Sequence, residues 1–218
     1  TLEKKNHEQE QELNQERLRF YTNITHELRT PLTLILGPLE DMQKETSLPV
    51  KQAQKLSVIH QSALRLLNLI NQILEFRKTE TQNKKLCVSK GNIAPLIYEI
   101  GLKYKELNQK TKIDFQIQIE KEEMLLFFDK EIITIVLDNL ISNAIKYTEQ
   151  GRVTLSLYQT MRNEVAYTEI KVSDTGYGIS AEALPHIFDR YYQESGKHHA
   201  SGTGIGLALV KNLVTLHE

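Results

Sequence analysis

The sequence predicts an α+β protein of two domains: a helical hairpin suited to a two-fold four-helix bundle, then an α/β sandwich. Three observations predict it. Apolar residues recur in alternating steps of three and four from Leu18 to Ile73, interrupted once at Thr46-Ser47-Leu48-Pro49. A polar tract, residues 79–85, ends that pattern, and beyond it segments with period-two alternation mix with helical ones. Finally, 218 residues with 40% hydrophobic and 25% charged side chains suit one large or two ordinary globular domains.

Composition also excludes classes. Lys and Arg number 27 against 28 Asp and Glu, a formal charge of -1, so no overall basic field recommends nucleic acid as a direct partner. The one cysteine, Cys87, rules out an intramolecular disulfide framework, agrees with a reducing compartment, and is expected to be a small buried residue. No apolar run approaches the ~20 residues of a membrane span, and Thr1-Leu2-Glu3-Lys4-Lys5 is no signal peptide. The chain reads as a cytoplasmic piece of something longer.

Residues 1–20 are mostly Glu, Gln, Lys, Asn and Arg without Gly or Pro, a solvated helix leading onward. The first seam then runs Leu18, Tyr21, Thr25, Leu28, Leu32, Ile35, Leu39, Met42, and the second carries Leu56, Ala63, Ile70 at one position and Ile59, Leu66, Ile73 at the other. Two such helices form a hairpin. A lone pair leaves much apolar surface exposed, so two copies are expected to join as a homodimer.

Within the first helix, His26 falls one residue off the seam and is expected at the bundle surface. A neutral imidazole nitrogen is a competent nucleophile near pH 7, and Glu27 beside it can act as base or orienter. Thr30, four residues on, shares its face, while Pro31 removes the amide bond to the Glu27 carbonyl and is expected to bend the helix there. A solvated helix face is the ordinary alternative for an isolated His-Glu pair.

Past the polar tract, a short strand is expected at residues 86–89, a helix at 93–108 and a strand at 112–119, where Ile113, Phe115, Ile117 and Ile119 alternate with polar residues. Residues 124–128 form another short strand, and Asp129 is placed to cap a helix running through Tyr147. Residues 151–159 and 164–173 alternate again. Helices are expected on one face of a largely antiparallel sheet.

Three stretches of this second part carry chemistry. On the capped helix, Asn139, Asn143 and Lys146 share a face; Asn is a poor interior helix residue, so two of them four apart suit a polar task such as offering a carbonyl oxygen to Mg²⁺ beside substrate phosphates. Asp174-Thr175-Gly176-Tyr177-Gly178-Ile179 follows an alternating strand, setting a carboxylate at the strand end where it can accept from an exocyclic amine. A solvated polar face and an ordinary Asp-Gly turn are the respective alternatives. Residues 193–201 read as a mobile loop; His198-His199 within it lack partners at metal-ligand spacing. Gly202-Thr203-Gly204-Ile205-Gly206-Leu207 then opens a helix, whose free amides and positive dipole end attract anions. Its spacing is neither a dinucleotide fingerprint nor a P-loop. In one domain, these stretches point to a nucleotide site.

In this order, the stretches resemble the cytoplasmic core of sensor histidine kinases. Phe20 to Leu32 is similar to the phospho-acceptor box, Asn139 to Thr148 to the N box, Asp174 to Ile179 to the first glycine box, Ile187 to Tyr192 to the F box, and Gly202 to Leu207 to the second glycine box. Phe20-Tyr21-Thr22-Asn23-Ile24-Thr25-His26 and Leu34-Ile35-Leu36-Gly37-Pro38-Leu39-Glu40 resemble in particular the kinases of Bacteroides-type hybrid two-component systems.

The resemblance implies residues 1–82 as dimerisation and histidine-phosphotransfer helices, 83–90 as linker, and 91–218 as an ATP-binding domain of the gyrase and histidine-kinase sandwich type. It implies ATP and Mg²⁺ as cofactors, His26 as the autophosphorylated residue, Glu27 as its base and Thr30 as a residue placing water when a partner is dephosphorylated. Asn143 would hold Mg²⁺; Asn139, Lys146 and Tyr147 would contact nucleotide; Asp174 would read adenine. Gly176, Gly178, Gly202, Thr203, Gly204, Gly206 and Leu207 would shape the pocket and its lid. Where the family often has an Arg after the F-box tyrosine this chain has Gln193, so Arg190 or Lys197 would meet the γ-phosphate. The family's domain also continues into strands past its last helix, and these are expected to be missing beyond Glu218. The implied partner is a receiver domain, in cis or in trans, and the implied setting is the cytoplasmic part of an inner-membrane sensor, reached through upstream segments. A gyrase-type ATPase, or a dimeric scaffold without catalysis, stays open on these residues.

Overall fold

The structure, a computed structural model, describes residues 24–25, 27–43, 49–80, 85–108, 112–193 and 204–217. The chain divides into two units, Thr1–Lys84 and Lys85–Glu218. His26, Gly202 and Thr203, together with the loop segment expected to be mobile from 194 onward, lie outside the described residues.

In the first unit, helix α1 is described over 24–25 and 27–43 and continues across Pro31, while α2 spans Val50–Glu80. The heptad pattern sorts into two columns with different fates. Thr25, Leu32 and Leu39 of α1 and Leu56, Ala63 and Ile70 of α2 are all buried within this one chain. Leu28, Ile35 and Met42, with Ile59, Leu66 and Ile73, remain between 37% and 51% exposed. The helices are also cross-linked by Arg29, whose Nη2 donates to Asn71 Oδ1 at 2.7 Å. Among the described residues, no helix is long and apolar enough to cross a membrane.

The second unit begins with β1 (Ser89–Asn92), which pairs antiparallel with β3 (Leu125–Phe128) in register Ser89↔Phe128 to Asn92↔Leu125. This corrects the strand expected at 86–89. Residues 85–88 have no regular structure, and Cys87, expected to be buried, is exposed. What holds that segment is main chain: the Cys87 amide donates to Asp129 Oδ2 at 2.7 Å.

Helix α3 (Ile93–Leu107) starts from Asn92, whose side-chain oxygen accepts from the amides of Ala94 and Met124 at 3.2 and 2.9 Å. Strand β2 (Ile113–Ile119) lies parallel to β4 (Gly151–Arg162), which pairs antiparallel with β5 (Val165–Asp174). The parallel pair needs a long crossover, and β3 with α4 (Lys130–Tyr147) supplies it. Val153, Leu155 and Leu157, at most 1% exposed, point from β4 into a core shared with Ile97 and Ile100 of α3 and Leu137, Ile141 and Ala144 of α4. Each such Val, Leu or Ile side chain stabilises the fold by about 1.5–3 kcal/mol relative to exposure. The last helix, α5 (Gly206–His217), packs against α4.

Candidate functional site

Asp129 begins α4 as the capping pattern requires, its Oδ1 accepting from the amides of Glu131 and Ile132 at 3.0 and 3.1 Å. From there α4 buries two separate stripes, at about 100° per residue around the axis. Leu137, Ile141 and Ala144 face the sheet core. Ile132, Val136 and Asn139, also buried, lie on another stripe, and with them fall Asn143 and Lys146.

Asn139, placed by sequence on a polar face, is only 6% exposed, with its Nδ2 donating to the Ile135 carbonyl at 2.8 Å. Gly206 closes over it: a Cβ at that glycine would stand 2.8 Å from Asn139 Oδ1. Asn143 lies one turn further along the same stripe, past the start of α5. It is half-buried, and its side-chain amide has no hydrogen-bond partner among the described residues. Lys146 Nζ sits 4.6 Å from the centre of the Tyr147 ring and 3.1 Å from its hydroxyl.

The other glycine turn meets the opposite end of this stretch. Strand β5 ends at Asp174, which is exposed; its Oδ1 accepts from the Gly176 amide at 2.9 Å. A Cβ on Gly176 would lie 2.5 Å from the Tyr147 carbonyl oxygen, which accepts from the Tyr177 amide at 3.3 Å. The Tyr177 hydroxyl donates to Glu149 at 2.6 Å, and that hydrogen bond pushes the phenol pKa up. Gly178 is left-handed at φ +74° with open space around it. Thus Gly206 meets α4 at Asn139, Gly176 meets it at Tyr147, and Asn143 stands midway.

The segment between β5 and α5 is anchored to the second glycine turn. Tyr191, itself left-handed at φ +60°, donates its amide to the Gly204 carbonyl at 2.9 Å, and Gly204 (φ +69°) approaches the Tyr191 main chain too closely for a side chain. Arg190 is exposed beside it, and Leu207 is half-buried in the first turn of α5. In the other unit, Glu27 and Thr30 are exposed on α1.

Sequence reasoning missed three contacts: His217 Nε2 accepting from the Asp129 amide at 3.0 Å, the Tyr177–Glu149 bond, and the Thr175 hydroxyl accepting from the Arg152 amide at 2.9 Å. Each joins residues 23 or more apart in sequence, and no local pattern announces such a partner.

Residues 16–82 match the His Kinase A (phospho-acceptor) domain, and residues 128–218 match the family of histidine kinase-, DNA gyrase B- and HSP90-like ATPases. The chain belongs to the histidine kinases. Over 223 residues this histidine kinase is 37% identical to Histidine kinase P4 of Formosa agariphila, covering 100% of this chain and 16% of that protein. It is 34% identical to Hybrid signal transduction histidine kinase D of Dictyostelium discoideum over 97% of this chain and 14% of that one. The chain therefore spans about a sixth of the length of these relatives. In fold it resembles full-length ShkA, solved in complex with AMPPNP, with a TM-score of 0.67 at 24% identity, covering 91% of this chain and 41% of that one. Both domains are those of a protein-histidine kinase, one a phospho-acceptor and the other an ATPase fold.

Proposed function

We propose that this histidine kinase binds Mg²⁺-ATP along the Asn139–Tyr147 face of α4, autophosphorylates His26, and passes the phosphoryl group to an Asp of a receiver domain, in cis or in trans. The observation that carries it is the bracketing of the half-buried Asn143 side-chain amide, without a hydrogen-bond partner among the described residues, between Gly206 at Asn139 and Gly176 at Tyr147. An amide oxygen is a hard donor that fits Mg²⁺, which keeps few protein ligands and takes the rest from phosphates and water. Among the described residues, no group of three or more His, Cys, Asp or Glu side chains gathers as an alternative metal site. Mg²⁺, when bound, would neutralise phosphate charge.

The remaining roles follow from the residues themselves. Asp174, with Oδ2 free among the described residues, accepts the adenine amine; Asn139, Lys146 and Tyr147 line the nucleotide. Gly176, Gly178, Gly202, Thr203, Gly204, Gly206 and Leu207 shape the pocket and its lid, and Arg190 offers charge to the γ-phosphate. A nitrogen of His26 is the nucleophile, Glu27 takes its proton, and Thr30 places the water that hydrolyses the phosphoryl group of a phosphorylated receiver partner, a separate reaction from autophosphorylation. Positioning and charge neutralisation carry the rate.

Residues 1–82 serve dimerisation and phosphotransfer, and the ATP-binding domain begins no later than Ser89, so the linker expected over 83–90 gives up Ser89 and Lys90 to β1, which pairs with β3. The half-exposed column of Leu28, Ile35, Met42, Ile59, Leu66 and Ile73 supports a homodimer, since each copy offers a second seam to the other. The protein would be the cytoplasmic part of an inner-membrane sensor and a phosphoprotein. The test is labelling with γ-labelled ATP: acid-labile, base-stable label is expected on the chain and absent from His26→Gln, and label surviving in that variant overturns the assignment.

A further inference from the structure

We propose that His217 is a positioning residue for the nucleotide site, holding the far end of α5 so that its glycine end stays seated on Asn139; this rests on reading residues 139–147 as the ATP-binding face. Helix α5 packs along α4, and one specific contact marks each end. At one end Gly206 lies against Asn139, and at the other His217 Nε2 accepts the Asp129 amide at 3.0 Å. The separations match: eleven residues from Gly206 to His217 and ten from Asp129 to Asn139, each about 15–17 Å at 1.5 Å per residue, so the helices run side by side in opposite directions.

The anchor is rigid on the α4 side. Asp129 is 3% exposed, and its carboxylate is held by three amides: Glu131 and Ile132 on Oδ1, Cys87 on Oδ2. Its own N–H therefore points in a fixed direction, and the imidazole at the end of α5 must come to it. Between the two contacts, Leu209 and Leu213 are fully buried, giving α5 a packed middle about which its ends would tilt. Apolar packing of this kind is weakly directional, whereas a hydrogen bond at the helix end sets the tilt. Freeing His217 would loosen Gly206 and, with it, Gly204, which carries the contact to Tyr191.

The test compares His217→Leu, which keeps bulk but cannot accept, with His217→Gln, whose side-chain oxygen reaches as far as Nε2 and can. In the full chain, His217→Leu is expected to weaken ATP binding and raise the ATP KM of autophosphorylation about three- to tenfold, the range for one lost hydrogen bond, with the rate at saturating ATP changed less than about twofold. His217→Gln is expected to restore the KM. An unchanged KM in the Leu variant, a loss confined to the saturating rate, or failure of Gln to restore would each overturn the proposal. A wild-type chain that binds no ATP would overturn the underlying site reading as well, whereas wild-type binding with an unaffected Leu variant overturns only the role of His217.

Discussion

Gly206 lies so close to Asn139 that a Cβ added to it would stand 2.8 Å from the Asn139 side-chain oxygen. The asparagine cannot simply turn away, because its Nδ2 is committed to the Ile135 carbonyl at 2.8 Å in a buried setting. The substitution Gly206→Ala is therefore expected to lift α5 off α4 locally, costing about 1–3 kcal/mol of stability and about tenfold in ATP affinity. Urea denaturation and calorimetric titration with ATP measure the two, and a variant matching wild type in both would contradict the close approach.

Two glycines of the first turn are expected to behave differently. At Gly176 a Cβ would lie 2.5 Å from the Tyr147 carbonyl oxygen, a main-chain obstacle, so Gly176→Ala should destabilise the domain by about 1–3 kcal/mol and abolish nucleotide binding. At Gly178 nothing stands within 4 Å and only the left-handed backbone objects, so Gly178→Ala should cost about 1–2 kcal/mol. Equal losses at the two positions would argue against this distinction.

The two heptad columns also separate by experiment. Glutamate at Ile35 and Leu66, 49% and 50% exposed within the chain, is expected to convert a dimer to a monomer while the hairpin stays helical. Glutamate at Leu36, 6% exposed and packed with Leu32, Ala63 and Ile70, should instead unfold the hairpin, because an unpaired charge would be buried. Light scattering with circular dichroism reads both; a dimeric double variant would count against the exposed column as the interface.

A pH effect is expected across β4 and β5. The Tyr158 hydroxyl donates to Glu169, which also pairs with Arg162 at 2.8 Å; the tyrosine bond holds the Glu169 carboxyl below its usual range and pushes the Tyr158 phenol up. A depressed carboxyl pKa contributes stability above its unfolded value of about 4.3 and loses it as pH falls through the folded value; a raised phenol contributes below about 10 and loses it as pH rises. Tyr158→Phe should thus lower the urea midpoint at neutral pH and differ less from wild type in acid. A constant difference across that range would refute the coupling.

Parts of this molecule were legible because their signals are local. The Asp129 cap, the alternation of β2 and β4 and the Asn139, Asn143, Lys146 stripe all rest on periods of two or 3.6 residues or on one capping side chain. Strand β1 was not: Ser89-Lys90-Gly91-Asn92 has no strand-forming composition and becomes a strand by pairing with β3. Cys87 was misjudged for a related reason, since its segment is held through a main-chain bond and its side chain is left outside. Nor does alternation reveal whether two strands run parallel, as β2 and β4 do.

By itself, the sequence determined the two-domain plan, the heptad seams and the family, all carried by periodicity or by short motifs in order. Only the tertiary structure decided which heptad column a single chain buries, that Asn139 lies beneath Gly206 rather than on a polar surface, and that Asp129 and His217 meet. The physical reason is that helix period and turn chemistry act over a few residues, whereas these contacts join positions far apart in sequence, and packing alone selects them.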